Sequence, residues 1–164
     1  MMTLTGAFGT GLTEPVWVLQ HLAGFLAIGM WAGQTGGTAV WQVPVAAVTA
    51  ALAAGLAAQT GIKLPYAAQG LAVSLLVIGG LVAVGVRAPV VLAVLAAAVA
   101  AVFHGYPHQG SALFWAGCAG GFLLVACGGL GLSAVLGQAV SARAVQLCGG
   151  AVAVAGLLDL MNVI

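Results

Sequence analysis

Two residues near the start of the chain carry side chains that could bind a metal ion. Glu14 and His21 are seven positions apart, which puts them on one face of a continuous helix, about 10 Å apart along its axis. His21 is followed by a long apolar segment. A titratable group in apolar surroundings is costly unless it has a partner. We therefore regard both residues as candidates for a functional site.

A second pair of histidines follows another apolar segment, in the sequence FHGYPHQG. The i, i+4 spacing of His104 and His108 suits a shared metal on a helix, but Gly105 and Pro107 favour a turn. Two imidazoles on a turn could still converge with His21. Neutral imidazole binds nickel, copper, zinc and iron, and carboxylate oxygens can complete such a site.

Each of these candidates also has a purely structural explanation. Thr13, Glu14 and Pro15 form a typical helix start, in which an acid in the first turn is stabilising without any further role. His21 could hydrogen-bond a backbone carbonyl and fix helix packing. His108 could be an ordinary loop residue in water.

The composition decides where these residues must lie. The chain has 164 residues, of which 63% are hydrophobic and only 3% are charged. A soluble domain has roughly a quarter of its residues charged, so the chain is predicted to be an integral membrane protein. Lys63, Arg87 and Arg143 are too few and too scattered to bind nucleic acid. No nucleophile or general base stands beside the histidines, so we do not expect an enzyme.

We predict an all-α, polytopic membrane protein in which residues 1–164 form one domain of six transmembrane helices with short loops. A helix needs about 20 apolar residues to span the hydrocarbon core. The chain contains 26 glycines, which would let neighbouring helices approach closely. Glycine-rich faces, with Gly29, Gly33 and Gly37 on the first helix and Gly117 and Gly121 on the fifth, could contact helices of this chain, a second copy or a membrane partner. The predicted spans are 15–33, 39–59, 65–86, 88–103, 111–137 and 143–163.

Six spans place both termini on one side of the membrane, and the polar side chains collect near that side. Glu14, the three histidines and Asp159 all approach it, and Asp159 could either serve a polar site or pair with Lys63. Arg87 and Arg143 fall in loops on the opposite side. Because positive residues favour the cytoplasm, we expect both termini to face outward.

The two polar segments resemble the motifs of a known family. EPVWVLQH, which ends at His21, is similar to HPxxGxDH, and FHGYPHQ, which begins at Phe103, is similar to FHGHAHG. These are motifs of the HupE/UreJ family, whose small six-helix proteins of the bacterial cytoplasmic membrane are regarded as nickel or cobalt permeases. The matching residues are Pro15, His21, Phe103, His104, Gly105 and His108.

The sequence departs from both motifs at positions that the resemblance implies are ligands. Glu14 stands in place of the first histidine and Gln20 in place of the aspartate, while Tyr106 replaces the central histidine of the second motif. The other replacements are Val18 for glycine, Pro107 for alanine and Gln109 for glycine. The metal site implied by the resemblance is therefore His21, His104 and His108, assisted by Glu14 and Gln20.

Two functions follow as hypotheses. The first is a permease that carries a divalent metal, nickel first and cobalt next, as a substrate and without a permanently bound cofactor. The second is a membrane scaffold that keeps the fold as a subunit of a larger complex but transports nothing. Metal binding by the purified protein would distinguish the two.

Overall fold

A computed structural model of the chain describes residues 4–106 and 108–162, with side chains from Gly6 onward. Within these ranges the chain is all-α, as the composition predicts. The helices are α1 (Leu4–Trp17), α2 (Leu19–Thr35), α3 (Ala39–Gln59), α4 (Ala67–Val84), α5 (Val90–Gly105), α6 (Ala112–Ala139) and α7 (Ala142–Leu160).

The number of membrane spans agrees with the prediction only in part. Helices α3, α4, α6 and α7 are each long and apolar enough to cross a bilayer, and α1 and α2, which meet at a 78° bend, count as a fifth span if the pair crosses as one. Helix α5 is apolar but has 16 residues, which reach about 24 Å at ~1.5 Å per residue. The described residues therefore contain up to five spans and one shorter apolar helix. Residue 163, the predicted end of the last span, lies outside them.

The prediction that a helix begins at Pro15 is wrong. Helix α1 runs from Leu4 to Trp17, so Pro15 lies inside it and Glu14 is not a first-turn acid. The segment before Pro15 is rich in glycine and threonine, which are weak helix formers. Packing on α6 outweighs that weakness: a Cβ on Gly11 would overlap the Phe114 carbonyl, so the two backbones touch.

Pro15 ends α1 two residues beyond its own position. Pro15 has no N–H to donate to the carbonyl of the preceding turn, and the helical conformation ends two residues later. Val18 is extended (φ −99°, ψ 105°), and its carbonyl accepts the first hydrogen bonds of α2, from the N–H groups of His21 and Leu22, each at 3.0 Å. The chain thus turns through 78° between two helices instead of continuing as one.

The second prediction to be corrected concerns the end of α5. His104 and Gly105 were expected to lie in a turn, but both are helical and His104 occupies the last turn. A Cβ on Gly105 would overlap the backbone of Ala51, so glycine lets α5 pack closely on α3 up to its end. Pro107, which was expected to favour the turn, lies outside the described residues.

Glycines also mediate the other close helix contacts. Gly117 and Gly121 on α6 face the backbone of α1, and Gly29 on α2 faces the Ala126 carbonyl on α6. Gly33 lies beside the side chain of Ser133, whereas Gly37 follows α2 in a turn with φ +59°. The predicted glycine faces, apart from Gly37, are therefore used within the chain.

Helix α2 is the centre of the bundle, and residues 27–32 are buried on every side of the helix. Phe25, Ile28, Met30 and Trp31 are each at most 2% exposed. Trp31 also donates a hydrogen bond from Nε1 to the Val86 carbonyl at 2.8 Å, which fixes α2 to the segment after α4. His21 projects from the first turn of this buried helix and is itself 2% exposed.

Candidate metal centre

Three side chains from three parts of the chain converge above the buried part of α2. Glu14 comes from α1, His21 from α2 and His108 from the connection between α5 and α6. One ligand-type atom of each lies within 4.8 Å of the others. The structure thus brings residues of the two polar sequence motifs together in one cluster, which we call the Glu14–His21–His108 cluster.

Glu14 is the acceptor at the middle of this cluster. Its Oε1 contacts Nε2 of His108 and lies 3.9 Å from Nε2 of His21. The side chains of Glu14, His108 and His21 are 14%, 9% and 3% exposed respectively, so little of their surface is open to water. Glu14 Oε2 and His108 Nδ1 are buried without a hydrogen-bond partner within residues 4–106 and 108–162. Unpaired buried polar atoms are uncommon and call for a ligand or another explanation.

The electrostatics of the cluster favour a cation. Lys63, Arg87 and Arg143 are all exposed, and among the described residues Glu14 has ion-pair contacts with histidines alone. A buried carboxylate without a fixed positive partner is costly. A bound divalent cation would compensate this charge, and the adjacent imidazole nitrogens could share the coordination.

His104 lies outside the Glu14–His21–His108 cluster, and its predicted role as a ligand stays a prediction. Its Nδ1 lies 3.1 Å from Nδ1 of His21, and its Nε2 lies 3.0 Å from Oγ of Ser74. Both ring nitrogens therefore have protein partners, and His104 is not a member of the Glu14–His21–His108 cluster. His104 lies beside the cluster and contacts His21, which is one of the candidate ligands.

Aromatic side chains form the rest of the wall. Phe122 lies edge-on to His21 with ring centroids 6.1 Å apart, and Phe25 stacks on Phe122 at 4.3 Å. Phe114 and Trp115 each lie 6.4 Å from the His108 ring. These apolar faces restrict water around the cluster and strengthen the electrostatic interactions within it.

Gln20 and Asp159 lie apart from the cluster. The structure places both in a small cavity of about 150 Å³ that is also lined by Gln69 and Asn162. Gln20 is partly buried, and within the described residues no ion pair joins Asp159 to Lys63. The expected assisting role of Gln20 is thus not supported by its position, and a polar role for Asp159 stays a prediction.

Two residues that sequence reasoning missed, Gly24 and Ser74, shape this site. A Cβ on Gly24 would overlap the His104 ring, so only glycine admits the ring at this position. Ser74 is 6% exposed and is the one hydroxyl residue of α4. The available signals were the i, i+3 spacing of Gly24 from His21 and the isolated serine in an apolar helix.

The chain is similar to proteins of one known family. Residues 1–158 match the family described as HupE / UreJ protein. Protein HupE of Rhizobium leguminosarum bv. viciae is 31% identical over 153 residues, which cover 89% of this chain and 80% of that relative. No solved structure shows significant similarity to the chain.

Proposed function

We propose that this chain, which belongs to the HupE/UreJ family, is a membrane permease for a divalent transition metal ion, with nickel as its first substrate and cobalt as its second. The family membership and the apolar helices make it an integral membrane protein. The finer assignment rests on the site.

The observation that carries the proposal is the convergence of Glu14, His21 and His108. Imidazole nitrogen is a ligand that nickel and cobalt favour, and one carboxylate offsets part of the charge of the ion. Three protein ligands leave positions for water, which suits an ion that must enter and leave. The metal is then a substrate, and no resident cofactor is required.

The position of the cluster indicates how an ion would be captured. His108 lies in the short connection before α6, at the end of the bundle that also holds Glu14, and we expect this end to face outward. We further infer that the Phe25–Phe122 stack and the buried part of α2 close the path beyond the cluster. Transport would then require the helices to move between two arrangements, one closed and one open below the site.

The test combines metal binding with uptake. We expect the protein in lipid nanodiscs to bind Ni²⁺ and Co²⁺ by calorimetry, and proteoliposomes that enclose a metal-sensitive dye to take up both. Replacing His21 or His108 by Ala should remove most of the binding and the uptake. Ser133→Ala is the matched control, because Ser133 is a buried polar residue on α6 that lies outside the cluster.

Two results would contradict the proposal. One is a folded wild-type protein that binds none of nickel, cobalt, copper and zinc. The other is wild-type uptake by the His21→Ala variant. Co-purification of stoichiometric partner subunits with a protein that binds no metal would favour the scaffold function instead.

A further inference from the structure

A line of hydrogen-bonded groups leads from the backbone of α4 to the Glu14–His21–His108 cluster. It consists of the Leu71 carbonyl, the Ser74 hydroxyl, the His104 ring and the His21 ring, and we call it the Ser74 relay. Ser74, His104 and His21 are 6%, 1% and 2% exposed, so water does not compete for these contacts. Each group must therefore donate or accept according to its neighbours alone.

The direction of hydrogen-bond donation along the Ser74 relay is set by Ser74, on α4. The Ser74 hydroxyl has one proton, and it donates this proton to the Leu71 carbonyl at 2.6 Å. Its oxygen can then only accept, so the 3.0 Å contact with His104 requires a proton on Nε2 of that ring. A neutral imidazole with a proton on Nε2 has a lone pair on Nδ1.

The same argument shows which ring donates the hydrogen bond between His104 and His21. The two Nδ1 atoms lie 3.1 Å apart, and one of them must donate to the other. Because Nδ1 of His104 has a lone pair, Nδ1 of His21 donates. Nε2 of His21 is then unprotonated, and this is the nitrogen that lies 3.9 Å from Glu14 Oε1.

We infer that Ser74 is a positioning residue which, through His104, keeps the proton of His21 on Nδ1 so that Nε2 offers its lone pair to the metal. The inference rests on the proposed function and goes beyond it, because Ser74 lies outside both sequence motifs. Groups behind a ligating histidine commonly fix its tautomer and its ring orientation in this way.

Ser74 is needed because Glu14, the other neighbour of His21, favours the opposite tautomer of the His21 ring. A carboxylate accepts hydrogen bonds, so Glu14 alone would favour a proton on Nε2 of His21. That proton would occupy the position of the metal–nitrogen bond. The Ser74 relay opposes this preference from the far side of the ring, at a distance from the metal.

The first test uses the metal-free protein. Full-length protein labelled with ¹³C,¹⁵N-histidine is studied in lipid bilayers by solid-state NMR, which distinguishes protonated from unprotonated ring nitrogens. We expect a proton on Nδ1 of His21 and on Nε2 of His104. Ser74→Ala should convert a measurable fraction of His21 to the other tautomer, and Ser74→Thr, which keeps the hydroxyl, should retain the wild-type spectrum. A proton on Nε2 of His21 in the wild type, or a spectrum that Ser74→Ala does not change, would overturn the inference.

The second test measures Ni²⁺ affinity in the same variants. Loss of a group behind a ligand typically weakens metal binding by about 10–100-fold, so Ser74→Ala should fall in that range. Ser74→Thr should remain within about threefold of the wild type, and Ser133→Ala should not change the affinity. Equal affinity for Ser74→Ala and the wild type would reject the relay while the permease function stands. If the wild type binds no metal but shows the expected tautomers, the proposed function fails and the hydrogen-bond direction is supported.

Discussion

Glu14 Oε1 lies 3.9 Å from His21 Nε2 although the two residues belong to different helices. On one continuous helix their backbones would be separated by about 10 Å along the axis. The break at Val18 and the 78° bend between α1 and α2 allow the carboxylate to reach the imidazole. The bend is therefore part of the construction of the site.

Glu14→Gln should weaken Ni²⁺ binding by at least about tenfold, since the loss of a direct ligand should cost no less than the loss of a group behind one. The amide has the same shape as the carboxylate, so only the charge and one acceptor oxygen are removed. Calorimetry on protein in nanodiscs measures the change. Gln20→Ala is the control, because Gln20 lies outside the cluster and lines a different cavity, and it should bind as the wild type does. A larger loss in Gln20→Ala than in Glu14→Gln would show that the ligand set is different.

Gly117→Ala should also impair metal binding, although Gly117 lies outside the cluster. A Cβ at this position would overlap the Phe8 carbonyl, so α1 must move away from α6 and carry Glu14 with it. We expect a lower melting temperature and weaker Ni²⁺ binding together. Gly131→Ala on the same helix has nothing within 4 Å of the added Cβ and should change neither quantity. Unchanged binding in a destabilised Gly117→Ala protein would show that Glu14 is not held by this contact.

The candidate ligands could be predicted from the sequence because their chemistry is rare in this chain. Among five formally charged side chains and three histidines, few combinations can bind a metal. Glu14, His21 and His108 were found in this way, and the structure brings them together. His104 was found too, but its spacing from His108 could not indicate that its ring is held by Ser74 on another helix.

The helix boundaries were harder to predict, because they depend on packing. Pro15 and Thr13 form a typical helix start, yet α1 is extended upstream by close contact with α6. Similarly, Gly105 is normally unfavourable within a helix but is retained in α5, where it packs on Ala51. Local propensity is a weak guide where two backbones touch, since tertiary contacts outweigh it.

Gly24→Ala should disturb the site through His104. The added Cβ would overlap the His104 ring, with Nε2 at 2.7 Å and Nδ1 at 3.1 Å, so the ring must leave its place between Ser74 and His21. We expect a loss of Ni²⁺ affinity of about 10–100-fold, as for other groups behind a ligand. Binding measurements and thermal unfolding on the same preparation test this.

The control for Gly24→Ala is Gly80→Ala, which lies on α4 with nothing within 4 Å of the added Cβ. Alanine is the better helix former by about 1 kcal/mol, so this variant should be as stable as the wild type or slightly more so. Normal affinity in Gly24→Ala would mean that the His104 ring can move without consequence for the metal.

Phe122→Leu should separate ion binding from ion passage. Phe122 is fully buried and stacks on Phe25 at 4.3 Å, and under the proposed function it closes the path below His21. Leucine keeps the surface apolar but removes the stacking face, so the barrier below the cluster becomes thinner. We expect Ni²⁺ affinity within about threefold of the wild type, because no ligand is changed, and faster uptake into dye-loaded proteoliposomes with less discrimination between nickel and zinc.

The exposed Phe8, with 41% of its surface accessible, offers the matched control. Phe8→Leu makes the same chemical change on α1 away from the closed path and should leave both affinity and uptake unchanged. If uptake falls in Phe122→Leu while affinity is retained, the aromatic pair is required for the movement of the helices and is not a barrier. Such a result would leave the ligand set intact but would change the account of how the ion leaves the site.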